Sequence, residues 1–138
     1  MHVKSRALFL VLALSTGLVV ACNDNSTTAP TTDIPTTTET FAGTVTLNGA
    51  TTHVFSVTQR GTVTATLTAV GTDNTAVIGV SLGTWNGTTC QIILANDQAV
   101  VGAGATGTVS GVGNLCLRVY DVGKLTAPTT YSVDVVHP

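Results

Sequence analysis

The chain of 138 residues carries five Lys and Arg against seven Asp and Glu, a formal net charge of −2 at pH 7, so it has no basic excess with which to hold nucleic acid. Charged residues are only 9% of it, and polarity comes instead from threonine, whose β-branched side chain fits a pleated strand. The composition argues for an all-β protein, and the length for one small domain.

Lys4 and Arg6 open the chain with positive charge, Ala7–Leu14 is an unbroken apolar run, and the small residues Ser15, Thr16 and Gly17 follow. This three-part build is that of a secretion signal. Counted generously from Ala7 to Ala21, the apolar part is 15 residues with two hydroxyls and a glycine. A membrane-spanning helix needs about 20 apolar residues.

The signal closes on Val19-Val20-Ala21-Cys22: an aliphatic residue, a tolerant position, a small residue and a cysteine. That ending resembles the lipobox of bacterial lipoproteins. The resemblance implies cleavage after Ala21, a diacylglycerol thioether on Cys22 and, usually, acylation of the new amino group. Several acyl chains at about 0.8 kcal/mol per buried methylene hold a protein stably on a membrane, where one chain holds it only marginally. In that family an Asp after the cysteine often marks inner-membrane retention. Here Asn23 follows, which points to the outer membrane or the cell surface. Loss of residues 1–21 removes Lys4 and Arg6 and no acid, leaving Arg60, Arg118 and Lys124 as the only Lys and Arg.

Residues 22–40 hold the candidate lipidated cysteine and then eight threonines between Thr27 and Thr40, two prolines and almost no apolar side chains. Such a stretch cannot bury a core and reads as a disordered tether. Extended at about 3.1 Å per residue, it would hold the following domain roughly 55 Å from the lipid.

From Phe41 a period of two sets in. Phe41, Val45 and Leu47 alternate with Ala42, Thr44 and Thr46, and residues 62–69 (TVTATLTA) alternate without a fault. Further strands are expected at His53–Thr58, Ala76–Leu82, Cys90–Leu94, Gln98–Val101, Gly107–Val109, Leu115–Val122 and Tyr131–Val136, each bounded by turn residues. Gly71-Thr72-Asp73-Asn74 is a clear turn, whereas residues 102–107 (GAGATG) read equally as loop or edge strand. About nine short strands over residues 41–138 predict an antiparallel β-sandwich.

With Cys22 set aside, Cys90 and Cys116 remain, and in an oxidising exported setting they are expected to pair. Two thiols without a neighbouring His make a poor metal site, since zinc usually takes four ligands.

The order Phe41, then His53-Val54-Phe55-Ser56-Val57, then Gly61 with its alternating strand, and finally residues 113–121 (GNLCLRVYD) and Tyr131-Ser132-Val133-Asp134-Val135, resembles the bacterial pre-peptidase C-terminal domain. The resemblance implies a jelly-roll-like sandwich over residues 41–138, in a family whose relatives bind collagen or polysaccharide. Some relatives hold calcium through acids leading into the sandwich. Here Asp33 and Glu39 are too sparse to carry that site over, and no metal or other cofactor is expected.

No flanking sequence marks a nucleophile near His53 or His137, so no catalytic residues are assigned and the chain is not expected to be an enzyme. Asp73-Asn74 and Asn96-Asp97 read as turn residues satisfied by local hydrogen bonds. Trp85, the only tryptophan, precedes an Asn-Gly turn and reads either as a cap on the core beside Cys90 or as an exposed anchor for a sugar or protein. Arg118 and Tyr120 have the parity opposite to Leu115, Leu117 and Val119 and are expected to face outward, where with an exposed Trp85 they would make a ligand face. The alternative is a structural or assembly role, in which threonine-rich strands short of charged gatekeepers pair edge to edge.

Overall fold

The computed structural model describes residues 33–138, so the expected secretion signal, the candidate lipidation site Cys22 and most of the expected tether lie outside the described residues. Eight strands follow in chain order: β1 (Thr37–Val45), β2 (Ala50–Val57), β3 (Gly61–Val70), β4 (Ile78–Trp85), β5 (Cys90–Ala99), β6 (Gly104–Val109), β7 (Gly113–Tyr120) and β8 (Thr129–His137). They make two four-stranded antiparallel sheets, ordered β1-β8-β3-β6 and β2-β7-β4-β5. Every connection but the β4–β5 hairpin crosses from one sheet to the other. This is the strand order of a jelly roll.

The period of two sorts the side chains between core and solvent. Val63, Ala65 and Leu67 of β3 point inward beside Tyr131, Val133 and Val135 of β8, and face Ile78, Val80 and Leu82 of β4 and Leu117 and Val119 of β7. Each fully buried Val, Leu or Ile contributes roughly 1.5–3 kcal/mol over leaving it in water. The alternating threonines take the other face of β3.

The strands differ from the sequence-based expectation at particular residues. The first strand begins at Thr37 rather than Phe41, because Thr37–Thr40 pair with Asp134–His137 of β8, and Glu39 turns inward to meet His137. Leu47 does not extend the inward set of Phe41 and Val45. The strand stops at Val45, Asn48 takes a positive φ of 54°, and Leu47 is exposed in the turn. In β3 an irregularity in pairing with β8 between Leu67 and Ala69 shifts the parity, so Val70 is buried in place of Ala69.

The two short strands expected at Cys90–Leu94 and Gln98–Val101 are one strand, β5. Asn96 and Asp97, read as a turn, lie inside it at a break in register, where Asn96 Oδ1 accepts the Gln98 N–H (3.0 Å) and Asn96 Nδ2 donates to the Gly104 carbonyl (3.0 Å). The undecided glycine-rich stretch supplies the edge strand β6.

The expected turn at Gly71–Asn74 is present. Asn74 Oδ1 accepts the Val70 N–H at 2.9 Å, and Asp73 Oδ1 accepts the Thr75 N–H at 3.2 Å, which holds the Asp73 carboxyl below its ordinary pKa. Asp121 has the larger role. Its Oδ1 accepts N–H groups from Gly123, Lys124 and Leu125, and its Oδ2 accepts the Asn48 N–H, tying the β7–β8 loop to the β1–β2 turn. The Asn48 bond does most to hold this carboxyl below its ordinary pKa, with the loop N–H groups adding to it.

Candidate functional site

The outward face of β4 reads Gly79, Ser81, Gly83, Trp85, and its small residues are the basis of the site. β4 lies between β7 and β5, so anything joining those two strands on the outer face must pass over it. Two links do. At one end Cys116 of β7, opposite Gly83, is bonded to Cys90 of β5, with Sγ–Sγ 2.06 Å and Cα–Cα 5.8 Å. The backbone of Gln91 and Ile92 crosses so closely over Gly83 that a Cβ there would strike the Gln91 carbonyl. At the other end Tyr120, opposite Gly79, lays its ring where a Gly79 Cβ would be, and its hydroxyl donates to the Asp97 carboxylate of β5.

Between these links Arg118 rises from β7. Its neighbour on β4 is Ser81, whose buried hydroxyl donates to the Arg118 carbonyl at 3.3 Å, and its neighbour on β2 is Thr52. The Arg118 side chain is exposed, with its guanidinium carbon 5.7 Å from the centre of the Tyr120 ring. The Tyr120 phenol is pushed up to about 12, chiefly by burial and then by the Asp97 carboxylate that accepts its hydrogen bond, while Arg118 opposes the shift.

The disulfide draws the tip of the β4–β5 hairpin toward Arg118 and Thr52, and an open groove of about 420 Å³ lies there. Trp85, Thr88, Thr89 and Cys90 line it from the hairpin, and Ala50, Thr52 and Arg118 line it from the sheet. The hairpin tip is held by Asn86, whose Oδ1 accepts the N–H groups of Thr88 (2.9 Å) and Thr89 (2.8 Å) and whose Nδ2 donates to the Thr89 hydroxyl (3.0 Å).

Of the sequence-based candidates, Trp85 and Arg118 therefore line one groove. Trp85 does stand beside Cys90, but on the outer face and half-buried rather than as a cap on the core. Tyr120 faces outward as expected and lies outside the groove lining, engaged with Gly79 and Asp97 instead. The cystine that brings the hairpin to the groove is the expected pair of Cys90 and Cys116, whereas the threonines of the groove were not among the candidates. The alternation Gly79-Val80-Ser81-Leu82-Gly83 was the available signal, since a strand face of small residues invites something to lie across it.

The histidines are held apart from this groove, inside the sandwich at its β1–β2 edge. His53 stacks on Phe41 with ring centres 5.0 Å apart, and its Nε2 is 2.7 Å from the Tyr131 hydroxyl. Burial lowers the His53 pKa and raises that of Tyr131. His137, the more deeply buried of the two, places Nε2 2.9 Å from Glu39 Oε1. Among the described residues no three of His, Cys, Asp and Glu gather where they could hold a metal ion.

The fold and this site define a jelly-roll sandwich with a mixed polar and aromatic groove on the outer face of one sheet. No protein-family model matches the chain, and a search of curated proteins finds no match.

Proposed function

We propose that this chain is a bacterial lipoprotein, anchored through Cys22 at the outer membrane or cell surface, whose sandwich is a non-catalytic module that binds extracellular carbohydrate or protein. The observation that carries the reading is the meeting of Trp85 and Arg118, from two different strands, in one open groove. An aromatic ring supplies a flat apolar surface at small entropic cost, a guanidinium supplies directional donors, and threonine hydroxyls donate and accept. A volume of about 420 Å³ falls within the usual range of small-ligand sites, about 300–1,000 Å³.

The non-catalytic part of the reading is supported by the engagement of both histidines. His53 meets a tyrosine and His137 a glutamate, and both lie inward, away from the groove. The resemblance to the pre-peptidase C-terminal domain belongs to the same proposal, and the jelly-roll strand order agrees with it.

The experiment is a glycan and extracellular-protein array probed with the purified full chain, wild type against Trp85→Ala. Binding that Trp85→Ala abolishes without lowering the melting temperature supports the module. Binding that survives Trp85→Ala places recognition elsewhere and contradicts the groove.

A second reading, as an assembly unit, is favoured by one observation. The edge strand β5 exposes Ile92, Ile93 and Leu94, with Ile93 68% exposed, and carries no charged residue before Asp97. Neighbouring edge strand β6 carries none. Unguarded edges of this kind template pairing with another strand. Light scattering of the full chain tests it: a concentration-dependent dimer or larger species that Ile93→Lys disperses supports assembly, and a monomer throughout contradicts it.

A further inference from the structure

We propose that the ligand of the Trp85–Arg118 groove is an acidic polysaccharide, a chain of pyranose rings bearing carboxylates, with Arg118 holding a carboxylate and Trp85 stacking on a ring. The inference rests on the groove being a binding site and names what it takes.

The charge argument begins with Arg118. It is the only charged residue in the lining, and its guanidinium forms no ion pair: among the described residues the one pair within reach is His137 with Glu39, inside the sandwich. The hydrogen bond that Arg118 makes with Ser81 uses its backbone carbonyl, and among the described residues no hydrogen bond engages the fork of side-chain donors. The one acid of β5, Asp97, accepts the Tyr120 hydroxyl. The Tyr120 ring supports the guanidinium from one side, at 5.7 Å, and thereby limits where the fork can point. A planar, oriented and unpaired guanidinium is suited to two parallel bonds with a carboxylate.

The remaining lining argues for a sugar as the bearer of that charge. Thr52 and Thr88 present hydroxyls with no side-chain partner among the described residues, while Thr89 is engaged by Asn86. Hydroxyl-lined walls beside an indole match a ring that carries hydroxyls at its rim and C–H groups on its face. A chain of acidic residues lacks both features and meets only the guanidinium. The groove is open rather than enclosed, which suits the interior of a polymer. Outside the groove the chain has an acidic excess, so long-range attraction does not aid the encounter, and at physiological salt fields are screened within about 8 Å. Recognition of the anion then depends on direct contact with Arg118.

The test uses the purified full chain, titrated by affinity electrophoresis and calorimetry with polygalacturonate, with the same polymer fully methyl-esterified, with a sulfated polysaccharide and with polyglutamate. Wild type, Arg118→Gln, Arg118→Lys and Trp85→Ala are compared, each checked for an unchanged melting temperature. The proposal expects saturable binding of polygalacturonate, at least tenfold weaker binding of the ester, and a loss of about tenfold to a hundredfold in Arg118→Gln, in keeping with a hydrogen bond to a charged partner. Arg118→Lys recovers only part, and Trp85→Ala weakens both polymers. Preference for the sulfated polymer over the carboxylated one overturns the carboxylate assignment.

Equal affinity for the acid and its ester, both lost in Trp85→Ala, overturns the acidic ligand while leaving the module standing. Polyglutamate binding as tightly as polygalacturonate overturns the sugar. No binding of any of these polysaccharides overturns the acidic ligand, and the array with Trp85→Ala decides the module separately. Should Arg118→Gln fail to fold, the comparison of acid with ester on the wild type decides alone.

Discussion

The Tyr120 hydroxyl reaches from β7 across the bare backbone of Gly79 on β4 to the Asp97 carboxylate on β5. Burial and that carboxylate both favour the neutral phenol, so its folded value, about 12, lies above the ordinary tyrosine value of about 10. A raised folded value contributes stability that is complete below about pH 10 and is lost as the pH rises toward 12. Tyr131, shifted in the same direction by burial, adds to the loss. Phenolate absorbance followed through an alkaline titration should show late ionisation. In Asp97→Asn the highest midpoint should move down, and an unchanged midpoint would show that the carboxylate is not responsible.

The histidine at the other edge gives the opposite slope. Burial lowers the His53 pKa, so the folded state binds its proton less readily than the unfolded chain does. Its contribution to stability is present above about pH 6.5 and falls as the pH is lowered through that value. Urea unfolding of the wild type should show this decline, and His53→Gln should flatten it.

Removal of the cystine tests whether the hairpin is held by it. In the double variant Cys90→Ser, Cys116→Ser, the loss of a crosslink spanning 26 residues should cost about 2–4 kcal/mol in chemical denaturation. Because the same bond holds the hairpin tip near Arg118, ligand binding should weaken even where the variant remains folded. Full binding by the folded variant would show that the hairpin keeps its place without the bond.

Gly83 is the companion test. An added methyl would strike the Gln91 carbonyl, so Gly83→Ala should force the start of β5 away from β4 and destabilise the fold by about 1–3 kcal/mol, read as a lower melting temperature. Gly113→Ala, where a Cβ meets nothing within 4 Å, is the control and should change little.

The sandwich was legible because alternation is a local property. The run at residues 62–69 announces which side chains face the core as far as Leu67, and Asn74 and Asn86 announce their turns by the hydrogen bonds that their short side chains make. What escaped depends on partners distant in sequence. Thr37–Thr40 have the composition of the threonine-rich stretch that precedes them, and only the pairing with β8, about a hundred residues later, makes them a strand. Asn96 and Asp97 carry a turn composition, yet β4 on one side and Gly104 on the other keep them in a strand, and the local bonding is expressed as a break in register. The site behaved in the same way. The parity of Arg118 and Tyr120 could be counted, but the nearness of Trp85 to Arg118 comes from a hairpin folded closely over Gly83 and tied by a cystine.

The central claim is that Trp85 lies in a ligand groove, and Trp85 is the only tryptophan in the chain, so its fluorescence reports on that groove alone. The most direct measurement is the emission of the full chain titrated with polygalacturonate, with and without Arg118→Gln. The account predicts a saturable change in the wild type that Arg118→Gln shifts to at least tenfold higher concentration. Binding detected by calorimetry with no change in Trp85 emission, in either protein, would contradict it.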